Sequence, residues 1–319
     1  MKYHVYFHDD FDGMVSGLVM FDFMKSRGDG IASFNPINFT PNLKNNWAKF
    51  KFKEPFILLD FMYHPKAAWW FDHHETSFIN QDWKEKYTDD ETHAFDISYK
   101  SACSLVLAYL KKKYKYQASK NIQNLVRWGD LIDSAGYKNA RQIVDRNGSG
   151  LKLMSFLDSL DRQNKKAHQK RIGNIIKQLS AKSINEIIKQ PAIAKTIKEQ
   201  LAKIKESKEA FKDSAVLSGG IVFIDNTIHD IHGSHFLAYY FYPKSFYSVS
   251  LSKYGGYYHI SVGGNPWNRI KGSRVHIGDL MSKYGGGGHK NVGGLEKKSK
   301  EEILKIVAEI IKYLNDSKK

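Results

Sequence analysis

Three short apolar runs near the N-terminus each lead into side chains that bind metals. Tyr3–Phe7 leads into His8-Asp9-Asp10-Phe11-Asp12-Gly13, Pro55–Leu59 into Asp60, and Ala67–Phe71 into Asp72-His73-His74. If these runs are parallel strands, the carboxylates and imidazoles meet at the carboxyl edge of one sheet, where open α/β folds place their sites. His8, Asp10 and Asp12 are spaced His-x-Asp-x-Asp on the way from a strand to a helix. A tight turn closed by Gly13 can aim all three one way, which extended chain cannot. Carboxylates with one or two imidazoles suit Mn²⁺, Mg²⁺ or similar ions, whereas a structural zinc site would want more sulfur or nitrogen. Asp12 also stands near a helix start, where the dipole favours its anionic form. Asp60, at its own strand end, has the place of a carboxylate that bridges two metals roughly 3.5–4 Å apart. Singly, each piece reads as a turn or a cap. Together they predict a metal-dependent hydrolase.

The elements that must position these groups are legible as well. Residues 1–140 alternate strand-like and helix-like runs, which predicts a doubly wound, mainly parallel sheet in a domain of residues 1–150. Strands are expected at Tyr3–Phe7, Ala32–Phe39, Pro55–Leu59 and Ala67–Phe71. Helices are expected at Met14–Ser26, Ser101–Lys113 and Asn121–Ile132. Residues 151–214 change texture: Ile172, Ile175, Ile176 and Leu179 recur at helical spacing. Between Asp161 and Asp213 there are 14 Lys and Arg against 6 Asp and Glu. That segment reads as a basic helical connector, with a solvated face and a grip on a nucleic-acid backbone as equal alternatives. Residues 215–319 return to strands at Gly220–Ile224, Ser245–Leu251 and Tyr257–Val262. A Gly-rich loop and a helix from Lys300 to Leu314 complete a smaller α/β domain.

The 319 residues include 42% hydrophobic and 13% aromatic residues, enough for substantial cores. A net charge of +16 favours a polyanionic partner, nucleic acid above all. The lone cysteine, Cys103, excludes a disulfide framework and a thiolate metal site. No secretory h-region and no run of about 20 apolar residues is present, so a cytoplasmic chain without a membrane partner is expected.

With its motifs in this order the chain resembles the DHH phosphoesterase superfamily, in the branch with the type-1 DHH-associated C-terminal domain. The resemblance spans both ends of the chain. A fourth motif is supplied by Trp128-Gly129-Asp130-Leu131-Ile132-Asp133-Ser134. The family pattern G-x-x-x-D-[TS] selects Asp133, with Asp130 as second candidate. Gly286-Gly287-Gly288-His289 matches the family's GGGH loop.

The resemblance implies two divalent metals, Mn²⁺ first and Mg²⁺ or Co²⁺ as alternatives. His8 and Asp10 would hold one, Asp12, His73 and Asp133 the other, and Asp60 would bridge them. Asp72 would orient the site, and His74 would face the substrate phosphate or leaving group. Asp60, Asp72 and His74 form the implied catalytic set. Gly286, Gly287, Gly288 and His289 would bind substrate, and bare glycines let backbone N–H groups approach a phosphate closely. Family members often carry Arg-Ser in the strand leading toward this loop, where this chain has Ser261–Arg269. Asn265, Arg269 or Arg274 is expected to take over that phosphate contact, with Trp267 as a stacking surface or a core residue. His229, His232 and His235 recur every third residue and are expected to be surface or substrate-facing.

The implied activity is hydrolysis of phosphodiester bonds in short single-stranded RNA or DNA from one end. The alternative is a small-nucleotide phosphatase or a cyclic-dinucleotide phosphodiesterase. A pyrophosphate or polyphosphate hydrolase ranks lower, because that branch lacks the GGGH domain. A catalytically dead nucleic-acid-binding module ranks lower because the ligand set is whole. A homodimer is allowed by the sequence.

Overall fold

Short runs of branched and aromatic residues, such as Phe56-Ile57-Leu58-Leu59 and Trp69-Trp70-Phe71-Asp72, are buried along their whole length. Strands of that kind need cover on both faces, as in a parallel sheet flanked by helices. The computed structural model describes residues 1–317 except Asp230, His232, Gly233 and Ser273. It divides into two units, Met1–Tyr137 with Gly148–Ile197, and Lys138–Asn147 with Lys198–Lys319.

In the first unit the chain runs β1 (Lys2–His8), α1 (Phe11–Ser26), β2 (Gly30–Ile37), α2 (Pro41–Asn45), β3 (Phe56–Leu59), β4 (Trp69–Asp72), α3 (Gln81–Lys86), β5 (His93–Phe95), α4 (Ala102–Tyr114) and α5 (Lys120–Asp133). After α6 (Ala140–Val144), which belongs to the second unit, it continues with α7 (Ser149–Asp158), α8 (Lys165–Leu179) and α9 (Ile184–Ile188). The five strands are all parallel, in the order β2-β1-β3-β4-β5. This is a doubly wound order whose direction reverses between β1 and β3, the position where such sheets open a crevice. Phe7 pairs with Leu59, and Leu59 with Phe71. One residue further along each strand, His8, Asp60 and Asp72 therefore stand in a row. The register alone brings the three sequence motifs together.

Helix α1 is buried on nearly every side and packs against β1, α4, α5 and α8. The opposite face of the sheet carries an aromatic layer that includes Tyr6, Trp47, Phe56, Phe61 and Trp70. The two indoles are satisfied: Trp47 Nε1 donates to the Tyr63 carbonyl and Trp70 Nε1 to the Phe61 carbonyl, both at 2.8 Å.

The segment expected to be a connector is divided. Up to Ile197 it belongs to the first unit, because α7 and α8 bury Leu151, Leu153, Leu157, Ile172, Ile175, Ile176 and Leu179. Helix α8 packs on α1 and β2. Helix α10 (Pro191–Ser214) carries the chain on into the second unit. The short α3 and β5 have no counterpart in the sequence pattern.

The second unit adds β6 (Ala215–Ser218), β7 (Ile221–Asn226), α11 (Ser234–Phe241), β8 (Tyr247–Tyr254), β9 (Tyr257–Gly264), α12 (Ile277–Ser282), β10 (Gly287–His289), β11 (Val292–Lys297) and α13 (Lys300–Asp316). Its sheet has the order β10-β11-β9-β8-β7-β6, with only the β7–β8 pair parallel. Ile303, Ile306 and Ile310 of α13 pack with Val249, Leu251, Ile260 and Val262 of the sheet. Leu237 of α11, Ala140 of α6 and Phe211 of α10 join Val222 and Ile224 in a second core.

One close approach underlies the first unit's helical layer. A Cβ added at Gly129 of α5 would lie 2.4 Å from Cys103 Sγ of α4 and 3.8 Å from Asp12 Oδ1. Gly129→Ala is expected to destabilise the protein by about 1–3 kcal/mol through overpacking. A thermal melt should show a drop of several degrees. Gly30→Ala, where a Cβ meets nothing nearer than Lys2 Cγ at 3.5 Å, should shift the melt far less.

Candidate metal centre

At the carboxyl edge of the first sheet the chain turns sharply from β1 into α1. Asp10 caps the helix: its Oδ1 accepts from the Gly13 N–H at 2.9 Å. Only glycine fits at 13, since a Cβ there would stand 2.1 Å from the His8 carbonyl oxygen. The cap leaves Asp10 Oδ2 facing His8 Nδ1 at 2.8 Å. Asp12, in the first turn of α1, is buried and accepts from the backbone N–H groups of Ala102 at 2.6 Å and Cys103 at 2.9 Å. Two helix N-termini, of α1 and α4, thus favour the negative charge of one carboxylate.

Asp60 follows β3 in left-handed backbone, φ 53°, a conformation that few residues other than glycine, asparagine and aspartate tolerate. Its N–H donates to the Phe71 carbonyl at 2.9 Å. The side chain is 1% exposed, and neither carboxylate oxygen has a hydrogen-bond partner among the described residues. Oδ2 lies 3.8 Å from His8 Nδ1, while Oδ1 lies 4.0 Å from His73 Nε2 and 3.6 Å from His74 Nδ1. The two oxygens therefore face two different groups of ligands.

His73 Nδ1 donates to the Tyr99 carbonyl at 3.1 Å, which in the neutral ring leaves the lone pair on Nε2. That nitrogen is buried and unpartnered, 3.4 Å from Asp133 Oδ2 and 3.7 Å from Asp12 Oδ2. Separations of 3.4–4.0 Å are too long for good hydrogen bonds. Two donors each bound at about 2.1 Å to one ion stand roughly 3.0–3.4 Å apart at right or tetrahedral angles. Among the described residues, three sets have ligand atoms within 4.8 Å of one another: His8, Asp10 and Asp60; Asp12, His73 and Asp133; and Asp60, His73 and His74. The orphaned acceptors and their spacing fit divalent cations.

Asp72 is buried, and its oxygens are already engaged. Oδ1 accepts from the His73 N–H at 2.8 Å and from His74 Nδ1 at 2.9 Å, and Oδ2 accepts from Ser77 Oγ. It lies outside the three ligand sets and holds the His74 ring. The fourth motif separates in the same way. Asp133 faces His73, whereas Asp130 accepts from Ser101 Oγ at 2.6 Å, beside the cap of α4.

Crowded carboxylates without a counter-cation resist ionisation. Burial, then the charges of Asp12 and Asp10, push Asp60 well above the usual carboxylate range. Burial, then Asp10, raises Asp12 to about 6; burial, then Asp12, raises Asp133 to about 7. Burial works against a charged His74, but the Asp72 hydrogen bond and nearby carboxylates outweigh it and raise the imidazole to about 9. Burial likewise opposes a charged His8, and the Asp10 contact again prevails and raises it.

A contact that the sequence did not disclose braces the first turn. Asp9, between His8 and Asp10, accepts from His168 Nε2 and Arg162 Nε at 2.8 Å each and from Asn38 Nδ2 at 3.1 Å. His168 is buried on α8, and Arg162 lies just before that helix. The only signal in the sequence was a lone histidine within a basic run.

In the second unit the glycines of the GGGH motif form a tight hairpin, with Gly287–His289 pairing with Val292–Gly294. A Cβ at Gly286 would meet the Gly294 carbonyl oxygen at 2.3 Å, and one at Gly288 the Val292 carbonyl oxygen at 2.3 Å. Strand packing therefore requires those two glycines. A Cβ at Gly287 would meet nothing within 4 Å, and His289 is exposed. A cavity of about 190 Å³ is lined by Asn265, Arg269, Lys290 and Asn291. The Asn265 amide is already engaged, donating to the Pro243 and Ser245 carbonyls of the loop before β8 and accepting from the Trp267 N–H. Arg269 is the exposed cation of the pair. Trp267 packs against the rings of Phe236 and Tyr239, so its core role prevails over stacking. His229 is exposed and His235 partly buried, while His232 lies outside the described residues.

No family model matches the sequence, and no curated relative matches it. Solved structures do. The pGpG-specific phosphodiesterase PggH from Vibrio cholerae superposes with a TM-score of 0.72 at 20% identity, covering 99% of each chain. RecJ from Thermus thermophilus in complex with Mn²⁺ gives 0.56 at 11% identity, covering 98% of this chain and 52% of RecJ. The DHH domain of a member of the s1p family of ribosomal proteins gives 0.51 at 13% identity, covering 97% and 86%. At these identities the likeness establishes the fold.

Two outcomes follow from the geometry. In the metal-free chain, Asp12 and Asp133 retain protons that unfolded carboxylates release near pH 4. Their contribution to stability therefore falls as pH rises from about 4 to 7. His74 adds a loss of the same sign from about 6.5 to 9. Melting temperature without metal should decline from pH 5 to pH 8, and less steeply in Asp60→Asn. Mn²⁺ should raise it increasingly over pH 6 to 8 in the parent chain and hardly at all in Asp60→Asn. A second set of melts tests the Asp9 brace. Asp9→Ala should raise the Mn²⁺ concentration giving half the thermal shift by about 10–100-fold, the usual effect of removing a group that orients ligands.

Proposed function

We infer that this chain, which joins the DHH fold to a paired cluster of carboxylates and imidazoles, is a metal-dependent phosphoesterase that hydrolyses short single-stranded oligonucleotides. The observation that carries this reading is Asp60: a buried carboxylate whose two unpartnered oxygens face two separate ligand groups. His8 and Asp10 would hold one divalent cation and Asp12, His73 and Asp133 a second, with Asp60 shared. Mn²⁺ is the first candidate, in keeping with the Mn²⁺ held by RecJ, followed by Mg²⁺ and Co²⁺. When bound, such a pair clamps a phosphate, lowers the pKa of a water and neutralises charge developed in an in-line displacement.

The protein's own groups set the geometry. The Tyr99 carbonyl fixes the tautomer of His73, and the Phe71 carbonyl holds the Asp60 backbone. Asp72 anchors His74 through Nδ1, and in the metal-free site it and the neighbouring carboxylates raise the imidazole to about 9. In its protonated form the ring would carry a second N–H, on Nε2, able to donate to a phosphate oxygen or to the leaving oxygen. Phe39, 47% exposed, stacks on Phe61 at 4.2 Å and abuts His8, which offers a base a surface beside the first ligand. In the Gly-rich hairpin, Gly287 is the glycine whose missing side chain leaves backbone open to an anion, with His289 and Arg269 as further donors.

A second reading restricts the enzyme to linear dinucleotides. It is favoured by the full-length likeness to a pGpG-specific phosphodiesterase. A cytoplasmic setting goes with either substrate; among the described residues no helix is long and apolar enough to cross a membrane.

Product analysis with Mn²⁺ separates these readings. The panel would hold a 5′-phosphorylated RNA dinucleotide and 24-mer, 3′-phosphoadenosine 5′-phosphate, cyclic dinucleotides and pyrophosphate. Turnover of the linear RNAs is expected, and turnover of the dinucleotide alone would select the second reading. Asp60→Ala should abolish hydrolysis with an unchanged circular dichroism spectrum, and Gly287→Ala should raise KM without loss of metal. Full activity in Asp60→Ala would sink the shared-carboxylate assignment.

A further inference from the structure

Beside the metal-binding turn, within the first unit, lies a cleft of about 830 Å³ between the ends of β1 and β2, the segment 38–53 and the start of α8. Its charged lining comprises Lys49, Lys51, Lys53, Arg162 and Lys165 against one carboxylate, Asp9. Asp9 is already matched by Arg162 and His168. The four lysines have no ion-pair partner among the described residues, so cations converge here without a countercharge. We propose that this cleft is an anion-binding site for the phosphates of substrate nucleotides beyond the scissile bond, a proposal that rests on the reading of the chain as an oligonucleotide phosphoesterase.

The local sequence explains why the charges line up. Phe50 and Phe52 pack against Tyr6 and Trp47 in the aromatic layer. In chain that alternates its side chains, burying Phe52 turns Lys51 and Lys53 outward together, and Lys49 adds an exposed cation at the end of the 3₁₀ turn Trp47–Lys49 just before them. Alternate residues of extended chain are about 6.6 Å apart, a spacing suited to successive phosphates of an unstacked strand. Asn38, Asn42 and Asn46 add amide donors and acceptors along the same wall.

Position supplies the second argument. The cleft begins at Asp9, whose chain neighbours His8 and Asp10 are candidate ligands, and at Asn38, which donates to Asp9. It extends back along β1 as far as Tyr6, whose hydroxyl accepts from the Lys53 N–H. That is about 10 Å of strand, room for the next phosphates of a chain whose scissile phosphate sits at the carboxylate cluster. Each phosphate neutralised would release counterions, so binding through this cleft weakens with salt.

The test is a chain-length series of 5′-phosphorylated RNAs of 2, 3, 5, 10 and 24 nucleotides, turned over with Mn²⁺ at two salt concentrations. The enzyme is compared with the triple variant Lys49→Ala/Lys51→Ala/Lys165→Ala, whose three positions are exposed. Expected are a rise in KM of about tenfold or more for five nucleotides and longer, and dinucleotide turnover within about twofold of the parent. The slope of log KM against log salt for the 24-mer should fall by about two, at roughly 0.7 per phosphate contact. Equal loss at every length, or none at any length, would overturn the proposal. Fluorescence anisotropy of a labelled 24-mer, read without turnover, separates this outcome from failure of the functional reading. If the parent hydrolyses no oligonucleotide, that reading fails; if the triple variant binds the 24-mer as tightly as the parent, the cleft assignment fails.

Discussion

A carboxylate buried without a hydrogen-bond donor is among the least tolerable arrangements in a folded protein. The effective penalty for an unpaired buried ion runs to several kcal/mol. Asp60 is in that position, with Asp12 and Asp133 close by and similarly reluctant to ionise. The surroundings make sense as devices for holding these charges together. Parallel register sets His8, Asp60 and Asp72 in a row; the α4 N-terminus meets Asp12; carbonyls fix the imidazole of His73 and the backbone of Asp60. The left-handed backbone at Asp60 belongs to the same account, since strain of this kind persists where the surroundings over-determine it.

The carboxylates and imidazoles were legible because short apolar strands end in them, and strand ends need no long-range information to recognise. The motif pattern favoured Asp133 and kept Asp130 as second candidate; the packing adds that Asp130 is bonded to Ser101 while Asp133 faces His73. The Asp9 brace was not legible. Its partners Arg162 and His168 lie more than 150 positions away, on a segment whose pattern announces a helix but not what that helix touches. The same limit explains the segment read as a connector. Periodicity showed amphipathic helices, and only packing showed that α7 and α8 complete the first unit. The hairpin glycines illustrate a subtler gap: three identical letters conceal two positions dictated by strand packing and one with open space around it.

Charge is sorted within the first unit. The chain carries +16 overall, yet Asp10, Asp12, Asp60 and Asp133 gather at one sheet edge while Lys49, Lys51, Lys53 and Lys165 face the adjoining cleft. An anionic cluster attracts cations, and a cationic wall attracts the phosphates that those cations would engage. Neither half needs a special residue type. Aromatic packing of Phe52 turns Lys51 and Lys53 outward, and helix capping by Asp10 turns its second oxygen toward His8.

The order of the ligands along the chain bears on how the protein is made. His8 is the first to leave a ribosome and Asp133 the last, an interval of 133 − 8 = 125 residues, or roughly 6–25 seconds at about 5–20 residues per second. The brace on Asp9 arrives later still, with Arg162 and His168. During that interval the early ligands can offer only partial, loosely held sites. The full proposed set, Asp133 included, exists only after α5 has docked. A cation held as proposed would therefore be selected by the folded sheet edge and not by the emerging chain.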